Sequence, residues 1–158
     1  MEGVGLDSTC PRCGGDHGPP RVVGSGFADA VVSLTHASDF VAVVVGRGAG
    51  VGVDAEASER APLSIAPRAL TPHELARIDE LEPSKQRSAL TRYWVQKEAV
   101  LKATREGLAG GMKSVDTTDA AVAGVQRNGV HWRIDELDLR PGYACAVARP
   151  LNSVLRIA

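Results

Sequence analysis

Trp94-Val95-Gln96-Lys97-Glu98-Ala99-Val100-Leu101-Lys102-Ala103-Thr104 carries apolar residues at helical intervals and contains no glycine or proline, the pattern of a helix laid against a core. Leu90, Trp94, Leu101 and Thr104 extend the spacing, so a long helix is predicted from Ser84 to about Glu106, with Gly107 stopping it. Just upstream, Thr71-Pro72-His73-Glu74 offers an N-cap, a first-turn proline and an acid three residues after the cap, which starts another helix. Pro62 to Pro72 reads as a linker with a short helical turn. On both sides of this helical middle the chain turns β-branched. Ala30 to Thr35, Phe40 to Val45 and Val51 to Glu56 read as three strands, the second closed by Gly46-Arg47-Gly48-Ala49-Gly50. Downstream, Ala121 to Arg127 and Val130 to Asp135 flank Asn128-Gly129, the dipeptide best suited to a two-residue hairpin turn. Tyr143 to Ala148 and Ser153 to Ile157 add further strands. Strands, then helices, then strands predict an α+β fold, a mainly antiparallel sheet packed with a long helix.

Residues 1–29 hold three of the nine prolines and many glycines around Cys10-Pro11-Arg12-Cys13-Gly14-Gly15-Asp16-His17-Gly18. They are expected to form a loop-like arm ordered by docking on a domain spanning 30–158. The whole chain of 158 residues is long enough for one self-sufficient core. At 44% apolar and 23% charged it is neither disordered nor fibrous. Eighteen basic against nineteen acidic residues, a net charge of -1, give no general attraction to nucleic acid or to an anionic membrane. The longest aliphatic run, Phe40 to Val45, is far short of the ~20 residues that span a bilayer. The first residues lack a basic flank and an apolar block, and three cysteines cannot all pair, so a cytoplasmic location is expected.

Alternation along a strand puts Asp54 and Glu56 on one face, their Cα atoms about 6.6 Å apart. Two carboxylates held together repel unless a cation lies between them, and a hard divalent ion is the usual remedy; hydration at a strand end is the plain alternative. The long helix adds an uneven charge distribution. Lys85, Arg87, Arg92, Lys97, Lys102 and Arg105 accompany one acid, Glu98, which suits a phosphate-rich ligand. Trp94, Glu98 and Lys102 fall along one side of it, although a glutamate four residues before a lysine is also an ordinary surface pair contributing ~0.2–0.5 kcal/mol.

Val51-Gly52-Val53-Asp54-Ala55-Glu56, followed about forty residues later by Trp94 to Thr104 and then Gly107-Leu108, resembles the paired signature of 4′-phosphopantetheinyl transferases. Ser33-Leu34-Thr35-His36 is similar to that family's Ser-x-Ser-His strand end, and the resemblance covers Cys10 to Ala148. It implies the family's α+β fold and transfer of the 4′-phosphopantetheine arm of coenzyme A to a serine of an apo acyl, peptidyl or aryl carrier protein, with release of adenosine 3′,5′-bisphosphate. The carriers would belong to secondary metabolism or fatty-acid synthesis. By the same resemblance Asp54, Glu56 and Glu98 hold Mg²⁺, and Glu98 takes the serine proton. Lys102 contacts the phosphates and assists the leaving group, Lys97 is a second cation for coenzyme A, and His36 meets its 3′-phosphate. On spacing alone His36 is a strand-end histidine.

Large family members have two similar halves, and this sequence resembles one that begins near the end of the first, making residues 1–29 a remnant of that lobe. The usual Gly-Lys-Pro reads Gly18-Pro19-Pro20, one cation fewer for coenzyme A. A homo-oligomer could complete the cleft between subunits, as small family members do; a truncated or degenerate non-catalytic homologue is the alternative. Cys10, Cys13 and His17 have the spacing of part of a zinc knuckle, with Asp16, His36 or Cys145 as the fourth ligand, and in that rival reading the chain is a metal-stapled binding module. Gly46-x-Gly48-x-Gly50 lacks the dinucleotide spacing and is read as a turn.

Overall fold

The computed structural model describes residues 3–156. In chain order the elements are β1 (Gly5–Thr9), β2 (Asp16–Val23), β3 (Ala30–Ala37), β4 (Phe40–Arg47), β5 (Gly52–Ala57), α1 (Ala66–Ala69), α2 (Pro72–Asp79), α3 (Pro83–Ala103), α4 (Ala120–Ala123), β6 (Val125–Arg127), β7 (Val130–Glu136) and β8 (Tyr143–Pro150). Two hairpins, β1–β2 and β3–β4, accompany a four-stranded sheet ordered β5-β8-β7-β6. All pairings among the described residues are antiparallel, as the α+β expectation requires.

β8 joins the layers. Ala144, Ala146 and Ala148 pack with Leu90, Val95, Ala99 and Val100 of α3, whereas Cys145 and Val147 on its other face pack with Val44, Val53 and Ala55. The alanines give α3 a shallow bed, so the helix lies close to the sheet. The same closeness shows at β5. A Cβ at Gly52 would fall 1.9 Å from the Ala99 carbonyl oxygen and 2.6 Å from the Ala103 nitrogen. Both are backbone atoms of α3, which can yield only if the whole helix moves. Gly52→Ala should therefore destabilise the fold by about 3 kcal/mol, the upper end of the cost of overpacking, read as a lowered urea midpoint; a loss under ~1 kcal/mol would show that α3 shifts freely.

β5 is an edge strand of its sheet, with its free backbone N–H groups covered rather than exposed. Val53 N donates to Ser33 Oγ at 3.1 Å and Ala55 N to Thr35 Oγ1 at 3.3 Å. The hydroxyls of β3 thus replace a strand ladder and hold that hairpin against β5.

Several local expectations hold. Thr71 and Glu74 form the reciprocal capping box at the start of α2, and Asn128 and Gly129, with φ of 51° and 74°, turn β6 into β7. Three segments differ. The described part of the expected arm, residues 3–29, is not loop throughout, because β1 and β2 pair from Gly5↔Val23 to Thr9↔Asp16 with one shift of register. Pro19 and Pro20 are tolerated at the irregularity between Asp7 and Thr9, where the ladder does not need their missing N–H groups. Residues 121–123 belong to α4, and the strand starts at Val125. Residues 153–156 form no strand, and Ile157 lies outside the described residues.

α3 also ends earlier than Gly107. Arg105 adopts φ 59°, and the Arg105 and Glu106 N–H groups donate to the Lys102 and Leu101 carbonyls, the double bond of a left-handed helix stop. An arginine occupies the position that glycine usually fills.

Candidate active site at the β5–α3 contact

Asp54 and Glu56 leave β5 on the side that α3 crosses, and Glu98 and Lys102, one turn apart, leave α3 toward them. Lys102 Nζ lies 2.7 Å from Asp54 Oδ1 and donates to the Val53 carbonyl at 3.1 Å. Thr35 Oγ1 donates to the same Asp54 oxygen at 3.0 Å. Trp94, half-buried, packs its side chain on the core one turn before Glu98, so the expected Trp94–Glu98–Lys102 side of the helix is present.

The electrostatics follow from this crowding. Burial pushes the Asp54 carboxyl up, and the Lys102 ammonium and the Thr35 and Ala55 donors only partly offset it. Burial also pushes Glu98 up, with the Asp54 and Glu56 charges adding to the rise and Lys102 opposing it. Glu56 is raised by burial too, and the Asp54 charge adds to that while Arg60 and Lys102 oppose it. Three carboxylates are therefore opposed by the Lys102 ammonium and, at Glu56, by the Arg60 guanidinium, an excess of negative charge that a further cation would relieve. Their hard oxygen donors fit Mg²⁺ chemically. Among the described residues, the Cys, His, Asp and Glu group whose ligand atoms all lie within 4.8 Å of one another is Cys10, Cys13 and His17, not the three acids. Asp54 is paired with Lys102, and among the described residues Glu56 and Glu98 are in no ion pair as close.

Beside Lys102 opens a cleft of about 380 Å³, walled by Gly18–Pro20 of β2, Ser33 and Leu34 of β3, and Arg105 beyond α3. Arg105 and His17 line it; the sequence offers Arg105 only as one of the basic residues of the helix and His17 only as a candidate zinc ligand, not as parts of one cleft. Ser33 and Thr35 as anchors of β5 could have been found from their alternation in an otherwise apolar strand. His36 points elsewhere: it is exposed, pairs with Val41, and does not line the cleft.

Lys97 corrects an expectation. It is not a phosphate-facing cation but is fully enclosed, 2.5 Å from Glu74 Oε2, and donates to the carbonyls of Ala69, Met112 and Val115 at 3.1, 3.0 and 2.7 Å. One residue is a rotation of about 100° around a helix. Lys97 therefore faces α1 and the 112–115 segment, while Glu98 faces β5. The Cys145 thiol is buried in the β8 core and pushed up to about 11 by that burial, so it is an inert packing group.

The sequence profile of the 4′-phosphopantetheinyl transferase superfamily matches residues 50–148, well over half of the chain and including both β5 and α3. The chain belongs to the 4′-phosphopantetheinyl transferase superfamily. A candidate 4′-phosphopantetheinyl transferase of Synechocystis sp. is 28% identical over 155 residues, covering 90% of this chain and 63% of that relative. The chain thus spans under two thirds of that relative's length. The crystal structure of Thermotoga maritima holo-acyl-carrier-protein synthase is also similar, with a TM-score of 0.48 and 22% identity over 63% of this chain and 61% of that one. The superfamily match begins at Gly50, directly before β5, so the two hairpins upstream lie outside it.

Proposed function

We propose that this superfamily member transfers the 4′-phosphopantetheine arm of coenzyme A to a serine of an apo acyl, peptidyl or aryl carrier protein. The serine oxygen forms a new bond to the pantetheine-side phosphorus of the pyrophosphate, and the bond to the departing adenosine 3′,5′-bisphosphate breaks. The observation that carries the reading is the meeting of Asp54, Glu56, Glu98 and Lys102 at the β5–α3 contact.

Asp54, Glu56 and Glu98 are the residues that would hold Mg²⁺, which when bound neutralises charge on the pyrophosphate. Glu98, with its pKa raised by burial and by two neighbouring carboxylates, is suited to accept the serine proton. Lys102 places an ammonium at the mouth of the cleft, where it can balance phosphate charge, and Arg105 is a second cation in the same cleft. Arg105, which lines the same cleft as Pro19, is the residue suited to supply the charge that the family's lysine would bring there. His36 is assigned to the 3′-phosphate by resemblance only, and it lies on the outer face of β3, outside the cleft lining.

That outer face is apolar around His36: Leu34, Val41, Val43 and Val45 are all substantially exposed. A patch of this kind suits burial against another subunit, and because Leu34 also lines the cleft, a homo-oligomer formed on this face would bring a second subunit to the cleft's edge. A cytoplasmic setting agrees with three free cysteines. No described helix is long and apolar enough to cross a membrane. The test is incubation with coenzyme A, Mg²⁺ and apo carriers of the three classes, read by intact mass. Addition of one phosphopantetheine group to a carrier is expected; absence of transfer to every carrier would favour the non-catalytic homologue.

A further inference from the structure

The β1–β2 hairpin contains no buried residue among those described, and its Leu6 and Val23 are 60% and 45% exposed. A two-stranded hairpin without an apolar face is marginal in water, and where β2 meets β3 along the cleft it buries no residue of its own fully. Its tip holds the tight cluster noted above. The Cys10, Cys13 and His17 ligand atoms all lie within 4.8 Å of one another, with Cys13 Sγ 2.9 Å from His17 Nε2.

The backbone sets this convergence. Gly14 N donates to the Cys10 carbonyl and Cys10 N to the Gly15 carbonyl, both at 2.8 Å, closing the turn. Gly14 allows it through φ 75°. A Cβ at Gly18 would fall 2.7 Å from the Thr9 carbonyl oxygen and 2.9 Å from Cys10 Cα. Only a bare glycine lets β2 press this closely on the first cysteine and bring His17 beside it.

We propose that the tip of the β1–β2 hairpin is a Zn²⁺ site in which Cys10 and Cys13 bind as thiolates and His17 binds through Nε2, with water as the fourth ligand. None of Asp16, His36 and Cys145 joins the cluster, and Cys145 is buried in the core. Zinc bonds of about 2.3 Å to sulfur and about 2.0 Å to nitrogen give tetrahedral edges of roughly 3.6–3.8 Å. The Cys13–His17 contact of 2.9 Å would open to reach that geometry, and no ligand pair has to close from beyond 4.8 Å. Two thiol protons leave to solvent as the metal enters, no electrons move, and the two thiolates neutralise the ion, which suits an exposed site.

Soft thiolates select zinc, whereas the three acids at the β5–α3 contact select a hard ion, so the two sites discriminate by ligand chemistry. His17 and the following Gly18 and Pro19 line the cleft beside Lys102. A bound zinc would pin that wall and supply the stability the hairpin lacks. The inference stands independently of the transfer reading.

The test is titration of the reduced, metal-free full chain with Co²⁺ and then Zn²⁺. Thiolate-to-cobalt charge-transfer absorption that saturates at one thiolate-bound cobalt per chain, and its loss on adding Zn²⁺, are expected. Cys13→Ser should lose that absorption, and Glu98→Gln should keep it. In the wild-type chain, needing no substitution, Zn²⁺ should slow alkylation of Cys10 and Cys13. Absent charge-transfer absorption, its retention in Cys13→Ser, unprotected cysteines, or a Cys10–Cys13 disulfide that survives reduction would each overturn the proposal.

Discussion

Glu98→Gln is expected to lower carrier modification by about 10²- to 10⁴-fold, the usual contribution of a positioned general base, while leaving the fold intact. The substitution keeps the shape of the side chain and removes a charge that Asp54 and Glu56 repel, so no loss of stability accompanies it. The pH profile adds a second readout. A base acts only when ionised, and burial together with the neighbouring carboxylates holds Glu98 above the ordinary glutamate range. Transfer should therefore fall as pH drops through that raised value, and a higher Mg²⁺ concentration should shift the limb toward lower pH. Initial rates by intact mass check both; retained activity in Glu98→Gln would remove the residue from the proton transfer.

Lys97→Met is expected to cost about 3–5 kcal/mol of stability, the range for breaking a buried ion pair on one side. Three carbonyls lose their donor, and Glu74 keeps a buried charge whose remaining partners are the Thr71 and Thr117 N–H groups and the Thr117 hydroxyl. The pair also ties α2, α3 and the 112–115 segment together, so the loss should appear as one cooperative shift in urea unfolding. Glu74→Gln in the Lys97→Met background should cost less than the sum of the two single changes, because the uncompensated charge is gone. Additive losses would show that the two residues act separately. A Lys97→Met chain of unchanged stability but weakened coenzyme binding would restore the phosphate-facing role that its burial argues against.

Much of this was legible in the sequence, for identifiable reasons. β-Branched runs, the Thr71–Glu74 capping box and the Asn128-Gly129 turn are local signals, and local chemistry fixes their outcome. The Asp54 and Glu56 side was readable from strand alternation, and the family signature extended it to Glu98 and Lys102. What escaped depends on tertiary placement. Lys97 and Glu98 are neighbours in sequence but face different elements, and nothing in the helix composition says which basic residue is enclosed. The β1–β2 hairpin was hidden because its prolines and glycines signal loops, whereas here they occupy a ladder irregularity and a close backbone crossing at Gly18. Arg105 ends α3 in a conformation that favours glycine, so the stop was misread as Gly107. The failed strand after Ser153 shows the limit of β-propensity where no partner strand is available to accept its hydrogen bonds.

The central claim is that two acids from β5 and one from α3 form a single cation site with Lys102 at its edge. Mn²⁺ titration followed by electron paramagnetic resonance, in the presence of coenzyme A, tests it most directly when the wild-type chain is compared with Asp54→Asn and Glu98→Gln. One ion per chain is predicted for the wild type, with clearly weaker binding in each variant; equal Mn²⁺ affinity in all three chains would contradict the account.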